Sequence, residues 1–314
     1  MIETENKIVY KAFGFRVTSE LHLPELPHVD FVEGEAIDIE IRIDETATFK
    51  YELEDIPYKH VVQGSSVMFY IPNTAYYCVR NGSTIIVAPV KDADVDLMRL
   101  YILGTCMGAV LMQRKIFPLH GSAVAIHGKA YAIIGESGAG KSTLASALIR
   151  EGFPLLSDDL IAVSLSKEPH QGAVVTPSFP QQKLWQASLD QFGMDNSNYR
   201  SIYGRETKFS VPVADNYCAD PVPLAGVFEL VKVEQDKATA PSIQRIGKLD
   251  RLQTLYCHTF RQFLIPRMGL MEWHFNTSAV IAKHAEMYQI CRPESLYTTP
   301  ELVAYILETI TNSK

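Results

Sequence analysis

Ile37, Ile39, Ile41 and Ile43 alternate with Asp38, Glu40, Arg42 and Asp44, a strict period of two that predicts a strand with one buried and one wet face. Val67 to Ile71 and Tyr76 to Val79 predict further strands. Asn81-Gly82 supplies the positive φ angles of a tight hairpin before a strand over Thr84 to Ala88. Residues 1–92 therefore read as a mainly antiparallel, β-rich N-terminal domain. From Asp94 to Arg114 apolar residues fall on most faces, the pattern of a buried helix. A strand (Ser122 to Ile126), a turn at His127-Gly128 and a second strand (Ala130 to Ile134) follow. A helix over 141–151, capped by Gly152, then leads into a short apolar strand from Phe153 to Leu156. Strand, helix, strand is an α/β unit, and residues 93–314 read as one α/β domain. Beyond it, residues 167–220 predict long irregular excursions with a helix near Gln182 to Phe192. A strand over Val227 to Val233 comes next, with helices over Lys248 to Phe263, Ser278 to Met287 and Pro300 to Ile310.

Composition narrows the function classes. The 314 residues are 47% hydrophobic and 21% charged, ordinary for a globular chain with a sizeable core. The formal charge of −7 is concentrated in residues 1–60 and no polybasic run occurs, which argues against a nucleic acid or an anionic membrane as partner. Five widely spaced cysteines without ligand or CxxC spacing read as free thiols of a reducing, cytoplasmic compartment. The acidic start has no signal-peptide pattern. The apolar run from Tyr101 to Met112 is shorter than the roughly 20 residues of a bilayer span, so a soluble protein is expected.

The candidate chemistry begins at Gly135. Gly135, Glu136, Ser137, Gly138, Ala139, Gly140, Lys141, Ser142 and Thr143 satisfy G-x-x-x-x-G-K-[ST], after a predicted strand and opening a predicted helix. Such a P-loop curls its N–H groups around phosphate oxygens at a helix N-terminus, which implies ATP and Mg²⁺. Lys141 would reach the β and γ phosphates, and Ser142 rather than Thr143 would hold the metal. Ser157-Asp158-Asp159 ends the next apolar strand and, in a parallel sheet, would return two carboxylates beside the cradle. Asp158 is expected to accept a proton from an attacking hydroxyl, with Asp159 on the metal side. His120, just before the first of the two strands, is a candidate electrostatic or donor group. Lys183, Arg205 and Lys208 are cations that could reach a transferring phosphoryl group, Lys208 foremost. Trp185, Tyr199 and Tyr203 could line a peptide groove.

His120-Gly121-Ser122-Ala123-Val124, the loop from Gly135 to Thr143, and Leu156-Ser157-Asp158-Asp159 resemble, in order and spacing, the nucleotide-binding domain of HPr kinase/phosphorylase. The resemblance implies an HPr-kinase-like P-loop fold. It also implies one active site that transfers phosphate from ATP to a protein serine, with Asp158 as general base, Asp159 as its metal-side neighbour and His120 in the site. Members of that family are hexamers, so a homo-oligomer is compatible with the reading. Tyr10 to Phe15, Ser19 and Leu23-Pro24-Glu25-Leu26 are similar to the opening of HPr-kinase-like proteins encoded with lasso-peptide biosynthesis genes. Those phosphorylate the C-terminal serine of a precursor peptide, which implies a peptide partner with an acceptor serine. The glycine-rich segment that the phosphorylase branch carries after its Asp pair is not found. The alternatives are a regulator acting on a phosphocarrier protein and an NTP-driven switch or assembly module.

Overall fold

The computed structural model describes residues 8–31, 34–166, 168, 172–202, 205–234, 240–294 and 297–312. Tyr203 and the side chain of Arg205 lie outside the described residues.

The chain forms a mixed α/β fold with two large sheets. The first has eight strands, in the order His28–Val29, Val9–Ala12, Phe15–Ser19, Ile39–Ile43, Thr84–Pro89, Ala75–Arg80, Ser66–Ile71, His60–Gln63. Neighbours are antiparallel except on either side of Ile39–Ile43, which pairs in parallel with both its neighbours. The period of two works as expected, since Ile39 and Ile41 are buried between wetter Glu40 and Arg42. Asn81 (φ 54°) and Gly82 (φ 65°) make the hairpin turn.

Val95–Gln113 forms one continuous helix of 19 residues. Asp94 caps it by accepting from the N–H of Leu97, and Ile102–Cys106 form a π-helical turn within it. By length and composition this helix passes the test for a membrane span, against the shorter apolar run expected from sequence, but 72% of its apolar window is buried inside the fold. Its buried face shares one core with Phe69, Tyr77 and Ile85 of the first sheet and with Leu160, Ala162 and Phe179 beyond it. The core thus runs across residue 92 without interruption.

The second sheet is built around the long strand Phe117–Ile126. Its C-terminal half pairs with Lys129–Gly135 and its N-terminal half with Leu160–Leu165. Through Ala173–Thr176 and Val222–Val233 the pairing returns to Lys129–Gly135, so five strands close on themselves. Val222–Val233 also pairs in parallel with Glu286–Pro293. Leu155–Ser157 lies antiparallel to the long strand, which therefore sits between it and the cradle strand. The expected direct neighbourhood of those two strands is replaced by this insertion.

Three elements differ from the sequence expectation for identifiable reasons. Gln181–Trp185 is a strand, with Gln182 and Leu184 buried on one face at period two, and helix begins only at Gln186. The helix from Lys248 stops at Cys257 because Thr259 bridges Leu119 and the Phe260 N–H donates to the Pro118 carbonyl, tertiary pairing that overrides local propensity. The helix predicted over Ser278 to Met287 runs instead over Met271–His284, and the last two residues of the predicted span open the strand Glu286–Pro293, which lies mostly beyond any predicted element.

Candidate active site

The cradle strand Lys129–Gly135 runs into the loop, and the helix Lys141–Arg150 begins directly after it. Gly135 (φ 145°), Gly138 (φ 80°) and Gly140 (φ 104°) supply the backbone that L side chains resist. At Gly135 a Cβ would lie 2.3 Å from the Leu230 carbonyl oxygen, so strand packing demands glycine there as well. The Lys141 ammonium folds back to donate to the Gly135 and Glu136 carbonyls, each at 2.8 Å. Burial lowers its pKa below the usual lysine range, against the pull of Asp159 and Asp158. Thr143 shares a hydrogen bond with Ser188 at 2.8 Å, whereas Ser142 donates to Asp158 at 3.0 Å. Of the two hydroxyls, Ser142 is the one beside a carboxylate.

The two adjacent carboxylates occupy opposite environments. Asp158 is buried (6% exposed), with Oδ1 accepting from the Ser122 and Ser142 hydroxyls and Oδ2 from the Lys183 N–H at 2.7 Å. Asp159 faces the cleft. Its backbone is left-handed (φ 73°), costly for a residue with a Cβ, and two contacts to its carbonyl hold it there: the Gly121 N–H at 3.3 Å and His120 Nδ1 at 2.9 Å. This turn separates the two side chains. Asp159 Oδ2 accepts from Lys183 Nζ at 2.7 Å. Burial alone would raise the Asp159 pKa, but the Lys183 ammonium and His120 hold it well below the usual carboxylate range. His120 lies within the long strand rather than ahead of it, paired with Leu160. Burial pushes its imidazole below the usual range, outweighing the attraction of Asp159.

These groups share a cleft of about 1250 Å³, lined by the loop, His120, Asp159, Lys183, Trp185 and Lys208. Gln181–Trp185 and Arg205–Pro212 belong to a small three-stranded sheet that carries both lysines to it. Lys208 lies opposite Trp185 in that ladder, its ammonium 5.4 Å from the indole centroid. Two further cations enter that sequence reasoning did not single out. Arg261 (φ 50°) donates to Thr105 of the π-helical turn at 3.2 Å. Arg292 comes from the strand Glu286–Pro293, most of which has no predicted element, and donates from Nε to the Ala139 carbonyl at 2.9 Å. No local pattern marks either one, because both reach the cleft through long-range pairing.

The donor set suits Mg²⁺. That ion takes one or two protein ligands and fills its octahedron with phosphate and water oxygens, and Ser142 Oγ beside Asp158 offers such a pair. Among the described residues no group of three or more His, Cys, Asp or Glu converges as a metal cage.

No family model matches the chain. The chain is 33% identical over 131 residues to the HPr kinase/phosphorylase of Bordetella pertussis, covering 40% of this chain and 37% of that protein. It is 35% identical over 91 residues to the HPr kinase/phosphorylase of Cupriavidus necator, 29% of this chain and 26% of that one. With the protein of the same name from Mycoplasmopsis pulmonis it shares 39% identity over 64 residues, 20% and 21% of the two chains. The chain is HPr kinase/phosphorylase-like over these stretches. They span between 21% and 37% of the length of these relatives. Among solved structures, the Hpr(Ser) kinase/phosphatase from Coxiella burnetii matches with a TM-score of 0.33 and 15% identity, covering 62% of this chain and 97% of that one.

Proposed function

We propose that this protein is an ATP- and Mg²⁺-dependent phosphotransferase whose acceptor is a serine hydroxyl of a peptide. The likeness at Tyr10 to Leu26 favours the C-terminal serine of a lasso-peptide precursor. The observation that carries the reading is the chain of contacts from Ser142 of the loop through Asp158 and Lys183 to Asp159. It ties the phosphate cradle to a carboxylate open to the same cleft, and a nucleotide switch needs no such group.

The roles follow from exposure. Asp158, walled in by three donors and touching Ser142, is the metal-side carboxylate; Asp159, open to the cleft, is the base. This exchanges the roles expected from sequence. Asp159 takes the serine proton as the serine oxygen bonds the γ-phosphorus. The bond from that phosphorus to the β–γ bridging oxygen breaks, and ADP departs with the electron pair. Lys141, Lys183 and Lys208 balance the charge spread over the transferring group. His120 is a positioning residue that fixes the Asp159 backbone. Bound Mg²⁺ would neutralise the β and γ phosphate oxygens.

Mass spectrometry after incubation with ATP and Mg²⁺ tests this. A gain of one phosphate on peptides ending in serine, absent when that serine is replaced by alanine, is the expected result. Phosphate on an HPr phosphocarrier alone would move the acceptor to the one named by the relatives. ATP hydrolysis with no phosphorylated acceptor would end the kinase reading.

A further inference from the structure

The cleft continues past the loop, away from the carboxylates. Lys129–Gly135, Val222–Val233 and Glu286–Pro293 run parallel, so their C-terminal ends share one edge of the sheet. The carboxylates reach that edge on one flank, from the turn after Leu155–Ser157. On the opposite flank Arg292, Tyr297, Thr298 and Leu302 line the cleft.

A nucleotide gripped by the loop after Lys129–Gly135, with its terminal phosphate toward Lys141 and Asp159, must send its sugar and base to this second flank. Three side chains there are fitted to receive them. Arg292 is anchored by its bond to Ala139, and its Nη2 lies 3.5 Å from where a Gly140 Cβ would be, at the shoulder of the phosphate loop. Tyr297 is 53% exposed on the cleft wall, an aromatic face available for stacking. Thr298 is only 5% exposed, yet among the described residues its hydroxyl has no hydrogen-bond partner. Its carbonyl accepts from the Leu302 N–H, which places it at the start of the 14-residue helix Thr299–Asn312. A buried hydroxyl without a partner is costly, and a ligand that both donates and accepts at this position would relieve it.

We propose that this flank is the nucleoside subsite, with Tyr297 stacking on the base, Thr298 hydrogen-bonding a polar edge of the nucleoside, and Arg292 facing the phosphate nearest the sugar. The proposal rests on the nucleotide-dependent reading above.

Equilibrium binding of ATP and of inorganic tripolyphosphate, each with Mg²⁺, separates the two. Tyr297→Ala weakens ATP binding about tenfold, and Thr298→Val about fivefold, as loss of one stacking contact or one hydrogen bond does. Both leave tripolyphosphate binding at the wild-type level, and Tyr297→Phe restores ATP. Wild-type ATP affinity in both variants overturns the subsite while leaving nucleotide binding intact. Equal losses for ATP and tripolyphosphate also overturn it, since the defect would then lie in the phosphate cradle. A wild-type protein that binds neither ligand removes the nucleotide reading and the subsite together.

Discussion

The two sides of the cleft are built in opposite ways. The cradle is nine consecutive residues on a strand-to-helix turn, and everything it needs is local: three glycines, a lysine, a hydroxyl and a helix N-terminus. The facing wall is assembled from distant strands, with His120, Lys183 and Lys208 placed by pairing register and Asp159 by the turn held against His120 and Gly121. A local device tolerates change elsewhere in the fold. An assembled one depends on each strand that feeds it, and single substitutions should expose that difference.

The largest effect is expected at the carboxylates. Asp159→Asn should lower kcat by about a thousandfold, in the range of a lost general base, while ATP binding is retained. Asp158→Asn should act differently, raising the Mg²⁺ concentration for half-maximal rate about tenfold through its contact with Ser142. Steady-state rates across a Mg²⁺ titration measure both. A thousandfold loss from Asp158→Asn at saturating Mg²⁺, with Asp159→Asn near normal, would return the base to Asp158.

Lys141→Ala comes next, on the local side. Removing a charge-assisted donor to phosphate should cost about 3 kcal/mol, or about a hundredfold in Kd for ATP. Calorimetric titration reads this directly, and the melting curve of the unliganded protein should stay close to wild type, since the ammonium's hydrogen bonds among the described residues go to two loop carbonyls.

What the sequence discloses follows the same division. The loop motif, the alternating isoleucines and the Asn81-Gly82 turn depend on neighbours along the chain, and each is present where the pattern places it. The Asp pair is legible as a pair, but which member faces the cleft is decided by the left-handed turn at Asp159, and the Gly121 and His120 contacts that hold it come from another strand. Lys183 looks like one solvated lysine among many until strand pairing puts its backbone on Asp158 and its ammonium on Asp159. Arg292 carries no local signal because the strand it sits on is set by parallel pairing with Val222–Val233.

The junction between the two sides is Gly121, which pairs with Ile134 of the cradle strand. A Cβ there would lie 2.2 Å from the Ile133 carbonyl oxygen, a backbone atom that cannot rotate away. Gly121→Ala should therefore cost about 3 kcal/mol, seen as a lower urea midpoint with an unchanged slope. A wild-type midpoint would mean that the two strands shift apart easily, and that the assembled wall is looser than its contacts imply.

The smallest effect distinguishes the sides by pH. The long strand that carries His120 starts at Phe117, whose ring stacks on buried His274 at 4.6 Å, and His274 Nε2 shares a hydrogen bond with Thr259 at 2.8 Å. Burial lowers the His274 pKa to about 4. An unfolded imidazole takes up its proton near pH 6.5, so between that value and about 4 the unfolded state binds more protons and stability falls on acidification. By pH 5 the loss from this group should be about 2 kcal/mol. In His274→Gln, which keeps a donor toward Thr259 but does not titrate, the stability curve should be flatter by that amount across the same interval. Urea melts at pH 7 and pH 5 provide the comparison. If wild type and variant lose stability in parallel, the acid sensitivity lies elsewhere, and the support beneath the His120 strand does not depend on a neutral His274.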